Sequence, residues 1–79
     1  MTDNKDETAT GIVEYVGYYQ TEIGRPDRCV VFLRVNHRMT KMLVFDADVR
    51  DQFPAGREVQ VRYRRSVDNT SALVERKLL

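Results

Sequence analysis

The stretch Pro54-Ala55-Gly56-Arg57-Glu58-Val59-Gln60-Val61-Arg62-Tyr63-Arg64-Arg65 decides the fold class. After a Pro/Gly turn, Val59, Val61 and Tyr63 alternate with Gln60, Arg62 and Arg64. A two-residue period puts one set of side chains on a core and the other in water, which is the mark of a half-buried β-strand. The wet face of this strand is largely arginine. The chain therefore reads as a β protein with a basic sheet surface.

Working outward, four more strands follow from composition and turn signals. Thr10 to Gln20 is the first, rich in Ile12, Val13, Tyr15, Val16, Tyr18 and Tyr19, residue types that favour strands. Gly11 and Gly17 interrupt it, and a glycine inside a strand often marks a bulge or a sharp bend at a barrel corner. Thr21 to Arg28 is a loop carrying Gly24, Pro26 and Asp27. Cys29 to Val35 is a second, almost wholly apolar strand. Asn36-His37-Arg38 is a hairpin tip, and Thr40 to Phe45 returns as the third strand. Between Asp46 and Phe53 the pattern changes. Asp46 or Asp48 is placed to cap one or two helical turns, with Val49 and Phe53 four apart on one face. Glu58 to Arg65 is the fourth strand and Ser71 to Leu78 the fifth. The predicted core is Val13, Val31, Leu33, Phe45, Val59, Val61, Tyr63 and Val74, with Val49 and Phe53 closing one end.

Strand, strand, strand, short helix, strand, strand is the order of the oligonucleotide/oligosaccharide-binding (OB) fold, a five-stranded Greek-key barrel. The expectation is an all-β, small five-stranded OB-like barrel over residues 10–79, after a polar tail at 1–9. The alternative is an SH3-like barrel, which would place a single 3₁₀ turn before its last strand.

Length and composition narrow the function. Seventy-nine residues make one domain with a marginal core. One cysteine, Cys29, excludes an internal disulfide, and with a single histidine, His37, it cannot build the usual zinc site. A lone cysteine in an apolar run fits a reducing compartment. The start of the chain lacks the basic and apolar segments of a secretion signal, so a cytoplasmic protein is the expectation. There is no phosphate-binding glycine motif. Asp46, Asp48 and Asp51 lack the glycine and terminal glutamate of a calcium loop. His37 at an exposed tip has no orienting partner in sequence for acid–base work. No catalytic constellation assembles, and no enzyme, cofactor or metal is expected.

Charge gives the stronger signal. The formal net charge is +1, and ten of the thirteen basic residues are arginine, which suits phosphate and base contacts and also protein interfaces. Arg25 and Arg28 lie in or beside the loop after the first strand. Arg34, Arg38 and Lys41 lie on the hairpin of strands two and three. Arg62, Arg64 and Arg65 lie on strand four. An OB barrel binds ligands on its strand 2–3 face between flanking loops. Tyr18, Tyr19 and Phe32 are candidate platforms for stacked bases. These residues point to single-stranded RNA or DNA binding by a non-enzymatic module. The second reading is a protein-interaction or self-association surface, because Val30, Phe32, Met42 and Val44 exceed what a small barrel covers.

Gly11-Ile12-Val13-Glu14 opening strand one, Leu33-Arg34-Val35 before a polar hairpin, and Gly56-Arg57-Glu58-Val59-Gln60-Val61 opening strand four resemble the small S1-type OB proteins of the translation-initiation-factor kind. The first loop here is longer and the second strand more apolar than in that pattern. The resemblance implies an OB-like barrel and RNA binding.

Overall fold

The computed structural model describes residues 6–19 and 28–79, without the side chain of Tyr19. Five strands form: β1 (Glu7–Tyr19), β2 (Arg28–Asn36), β3 (Met39–Phe45), β4 (Glu58–Arg65) and β5 (Ser71–Leu78), with one 3₁₀ turn (Arg50–Gln52) between β3 and β4. They close into a barrel in the order β1-β2-β3-β5-β4. Every pairing is antiparallel except β3 with β5, which meet in parallel at Phe45 and Ser71. The parallel closure and the 3₁₀ turn between β3 and β4 give the OB-like arrangement rather than the SH3-like one. No helix among the described residues is long and apolar enough to cross a membrane.

Barrel closure depends on β1. Its first half, Glu7–Ile12, pairs with β4, and its second half, Ile12–Tyr19, pairs with β2. The changeover falls at Gly11 and Ile12, where β1 and β2 approach closely. A Cβ on Gly11 would lie 2.7 Å from the backbone oxygen of Arg34, so only glycine fits between the two chains. The turn before β4 is anchored there as well, since Val13 N–H donates to Arg57 O at 3.0 Å and Gly56 N–H donates to Val13 O at 2.8 Å. Gly56 takes φ +84° in that turn, a conformation that favours glycine.

The core is one cluster. Val13, Val31, Leu33, Phe45, Val49, Phe53, Val59, Val61 and Tyr63 are buried, joined by Ala9, Cys29 and Leu43. Phe45 stacks on Phe53 with centroids 5.5 Å apart and meets the edge of Tyr63 at 6.5 Å. The alternation of Val59, Val61 and Tyr63 appears as an unbroken exposed–buried pattern along β4.

Two details differ from the expectations. Val74 is 41% exposed rather than core. The β4–β5 register shifts there: Tyr63 pairs with Leu73 but Arg62 pairs with Glu75, so Val74 is the extra residue of a bulge and loses the inward parity. β1 starts at Glu7, three residues before the expected Thr10, because Ala9 is buried opposite Val61. The expected short helical segment between β3 and β4 is present as a single 3₁₀ turn. Pro54 disfavours helical backbone at Phe53, and Asp48 Oδ1 accepts from Arg50 N–H at 3.2 Å, turning the chain before Arg50. Val49 and Phe53 still close the barrel end. The predicted loop over Thr21 to Arg28 lies outside the described residues, except that Arg28 opens β2.

Gly11→Ala tests the closure. The added methyl group meets backbone, which yields less than a side chain, and overpacking of this kind costs about 1–3 kcal/mol. For a domain of this size that lowers Tm by at least about 4 °C, read by circular dichroism melting. An unchanged Tm would show that the β1–β2 approach is not tight.

Candidate ligand face

Side-chain parity on β2 sorts its residues cleanly. Cys29, Val31 and Leu33 point into the barrel, and Arg28, Val30, Phe32 and Arg34 point outward. On β3 the outward partners are Val44 opposite Val30, Met42 opposite Phe32 and Thr40 opposite Arg34. On β1 the register jumps from Val13 opposite Leu33 to Tyr15 opposite Phe32. Glu14 is the extra residue of this bulge. The jump reverses the parity of β1: Val13 is 1% exposed, whereas Tyr15 is 60% exposed. Glu14 and Tyr15 are consecutive, yet both lie exposed on the outside.

The result is a row across three strands, Tyr15–Phe32–Met42. The Tyr15 and Phe32 rings sit 5.9 Å apart and tilted by 49°, a favourable aromatic distance. The Tyr15 ring lies over Gly17, where an added Cβ would approach its Cε2 to 3.0 Å. The missing side chain at Gly17 is therefore the seat of the ring. Met42 is 58% exposed at the far end of the row, and Val30 and Val44 flank it half-buried. At the other side, Thr40 Oγ1 donates to Glu14 Oε1 at 2.7 Å. This bond spans β2 at the level of Arg34.

The predicted cations divide into separate groups. Arg34 stands next to Phe32 along the outer face of β2. Arg28 lies at the other end of that column, near enough to Asp68 to help hold its carboxyl below the usual range, after the hydrogen bonds from Thr70. Arg38 sits in the two-residue turn, its N–H donating to Asn36 Oδ1 at 2.8 Å. Lys41 follows the inward parity of β3, with its Nζ 5.8 Å from the centroid of Tyr63. Arg62, Arg64 and Arg65 are on β4, which borders β1 and β5 but neither β2 nor β3. They are engaged there with carboxylates: Arg64 with Asp6 at 3.0 Å, Arg65 with Glu7 at 3.3 Å, and Arg62 with Asp6 at 3.6 Å and Glu75 at 3.9 Å. Arg25 and the side chain of Tyr19 lie outside the described residues.

Tyr18 takes the position opposite Cys29 and lies under Arg50, whose guanidinium carbon is 3.9 Å from the ring centroid. Arg50 also grips Asp48 through two bonds, Nε to Oδ1 at 2.9 Å and a terminal nitrogen to Oδ2 at 2.8 Å. Those bonds hold the Asp48 carboxyl below its usual range. Cys29 is fully buried behind this latch, and burial pushes its thiol pKa up. A raised pKa and a covered sulfur make for an unreactive thiol. His37 is exposed and lines an open cleft of about 520 Å³ with Gly11, Arg34, Asn36 and Glu58.

Tyr15 and Glu14 are the residues of this face that sequence reading missed. Strict alternation puts Tyr15 on the same side as Val13, and only the bulge reverses it. The visible signal was Gly17, two residues on, which leaves room for a ring. Comparison with models of known families, with characterised proteins and with solved structures finds no match to this chain.

Gly17→Val tests the seat of Tyr15. The valine displaces the ring, and nuclear Overhauser contacts between Tyr15 and Phe32 are lost. Global stability changes little, because the displaced side chain is on the surface. Retained ring contacts in the variant would show that Gly17 does not position Tyr15.

Proposed function

We propose that this barrel is a non-enzymatic module that binds single-stranded nucleic acid across the outer face of β1, β2 and β3. The observation that carries the reading is the Tyr15–Phe32 pair: an exposed Tyr15 ring, seated on Gly17, beside the half-buried outward ring of Phe32, on the face that OB barrels use for ligands. Base–aromatic stacking contributes about 1–3 kcal/mol per base and tolerates any sequence. Arg28 and Arg34 bracket the apolar residues of β2, at a distance of about 20 Å for six strand residues. With Arg38 they supply up to three phosphate contacts. Arg62, Arg64 and Arg65 form a separate group, held by Asp6, Glu7 and Glu75.

Binding of this kind is weak and rests more on stacking than on charge. Three phosphate contacts give a log–log salt slope of about −2 on single strands. The test is a fluorescence-anisotropy titration of a labelled mixed-sequence octanucleotide at two salt concentrations. Tyr15→Ala lowers affinity roughly tenfold and leaves the slope unchanged, because stacking is not ionic. Arg34→Ala lowers affinity and flattens the slope by about 0.7. Arg64→Ala changes neither by much. No binding of any oligonucleotide at low salt would end this reading.

A second reading has its own support. Met39 and Met42 are more than half exposed, and a groove of about 200 Å³ runs between Met42–Val44 and the Arg65, Asn69 and Ser71 side. Among the described residues β3 meets β5 only at Phe45, so its edge from Met39 to Val44 lies open beside that groove. Open edges and adaptable methionines favour protein partners, including strand addition. Sedimentation velocity tests self-association: a concentration-dependent dimer abolished by Met42→Lys supports it. A monomer at all concentrations removes self-association and leaves only an extended peptide for that edge.

A further inference from the structure

The bulge at Glu14 does more than expose Tyr15. It also places a carboxylate on the same face, where it stands in the way of a phosphate. A surface that only tracked a backbone would gain from a neutral or basic residue there. Instead Glu14 is held in position: the Thr40 hydroxyl donates to its Oε1 at 2.7 Å from across β2. That bridge crosses β2 at Arg34, one outward residue along from Phe32, or about 7 Å along the strand. A base lying on the Tyr15–Phe32 platform has its edge within reach of that carboxylate.

We infer that Glu14 is a specificity-determining residue, which reads the amino-bearing edge of the base stacked on Tyr15 and Phe32. This rests on the proposed nucleic-acid reading. An ionised carboxylate only accepts hydrogen bonds. Thr40 takes one lone pair of Oε1; among the described residues no other donor is bonded to Glu14, so Oε2 and the remaining lone pair of Oε1 can accept. Single-stranded bases expose their Watson–Crick edges to such groups. Guanine offers two adjacent donors, its ring N–H and its amino group, which match the two oxygens of a carboxylate. Cytosine and adenine each offer an amino group. Thymine and uracil offer a single ring N–H between two carbonyl oxygens, and those oxygens face the carboxylate unfavourably. The order of preference is guanine, then cytosine and adenine, then thymine or uracil. Thr40 is a positioning residue for this readout, because it fixes the Glu14 rotamer without touching the base.

The experiment compares labelled dT8, dC8, dA8 and an alternating d(TG)4 by anisotropy at low salt, on the wild-type chain and on Glu14→Gln and Thr40→Val. Wild type binds d(TG)4 about tenfold more tightly than dT8, the discrimination a good two-point contact gives. Glu14→Gln presents a donor as well as an acceptor and brings that ratio within about twofold. Removing the negative charge raises all affinities together, so the ratio isolates the readout. Thr40→Val keeps the carboxylate but lets it move, and the ratio falls part of the way. Equal wild-type binding of all four oligonucleotides overturns the assignment of Glu14 while leaving the binding face intact. A preference that survives in Glu14→Gln overturns it as well. No binding to any of the four overturns the nucleic-acid reading itself, and this inference with it.

Discussion

The close approach of β1 to β2 at Gly11 is the constraint on which the rest of the barrel depends. Five short strands cannot close unless one of them serves two sheets. Here β1 does so, with β4 on its first half and β2 on its second. The changeover needs two chains nearly in contact, and the 2.7 Å that a Cβ would have to the Arg34 oxygen shows how little space remains. The turn before β4 is tied to the same point through the two backbone bonds of Val13. That register sets Val13 opposite Leu33 and Gly11 opposite Val59, with Val13, Leu33 and Val59 all in one buried cluster. The burial of Tyr63 follows from it as well, since β4 is positioned by its pairing with the first half of β1.

The same strand then builds the surface. A strand that bends this sharply relieves its pairing with a bulge, which raises the local twist and reverses parity. The bulge at Glu14 carries Tyr15 out of the core side and onto the face beside Phe32. The fold's closing device and its exposed aromatic platform therefore have one physical origin. A second bulge, at Val74, works on the opposite wall. There it moves a valine outward and leaves Arg76 half-buried, donating to Gln52 Oε1 at 3.0 Å near the 3₁₀ turn. One bulge opens a surface and the other helps tie down the barrel end.

Most of the architecture was legible because it rests on period and punctuation. Val59, Val61 and Tyr63 declare β4 without help from the rest of the chain. Cys29–Val35 declares a second, almost wholly apolar strand, and Val49 with Phe53 declares the plug. What could not be read was parity downstream of a bulge. Val74 looked like core and Tyr15 shared a predicted side with Val13, because alternation has no term for an extra residue. Gly11 and Gly17 were visible as irregularities, but their meanings differ. One admits a neighbouring backbone and the other seats a ring, and only tertiary contacts separate the two.

Charge was the most misleading part of the sequence. Arg62, Arg64 and Arg65 form the densest basic run in the chain, and counting residues makes them the natural phosphate track. Strand order assigns them otherwise. β4 lies beside the start of β1, and that start carries Asp6 and Glu7. Each carboxylate finds an arginine across the strand pair, with Asp6 taking both Arg62 and Arg64. Pairs this exposed contribute little stability one by one. Their arrangement as a network along one strand pair is better suited to fixing where β1 begins. An arginine already facing a carboxylate is also a poor phosphate ligand, since the phosphate must displace the carboxylate or tolerate it. The apolar face of β1, β2 and β3 carries fewer cations, but among the described residues Arg34 and Arg38 form no ion pair. For a ligand that stacks, a pre-seated ring with a single guanidinium beside it is a better surface than three neutralised arginines.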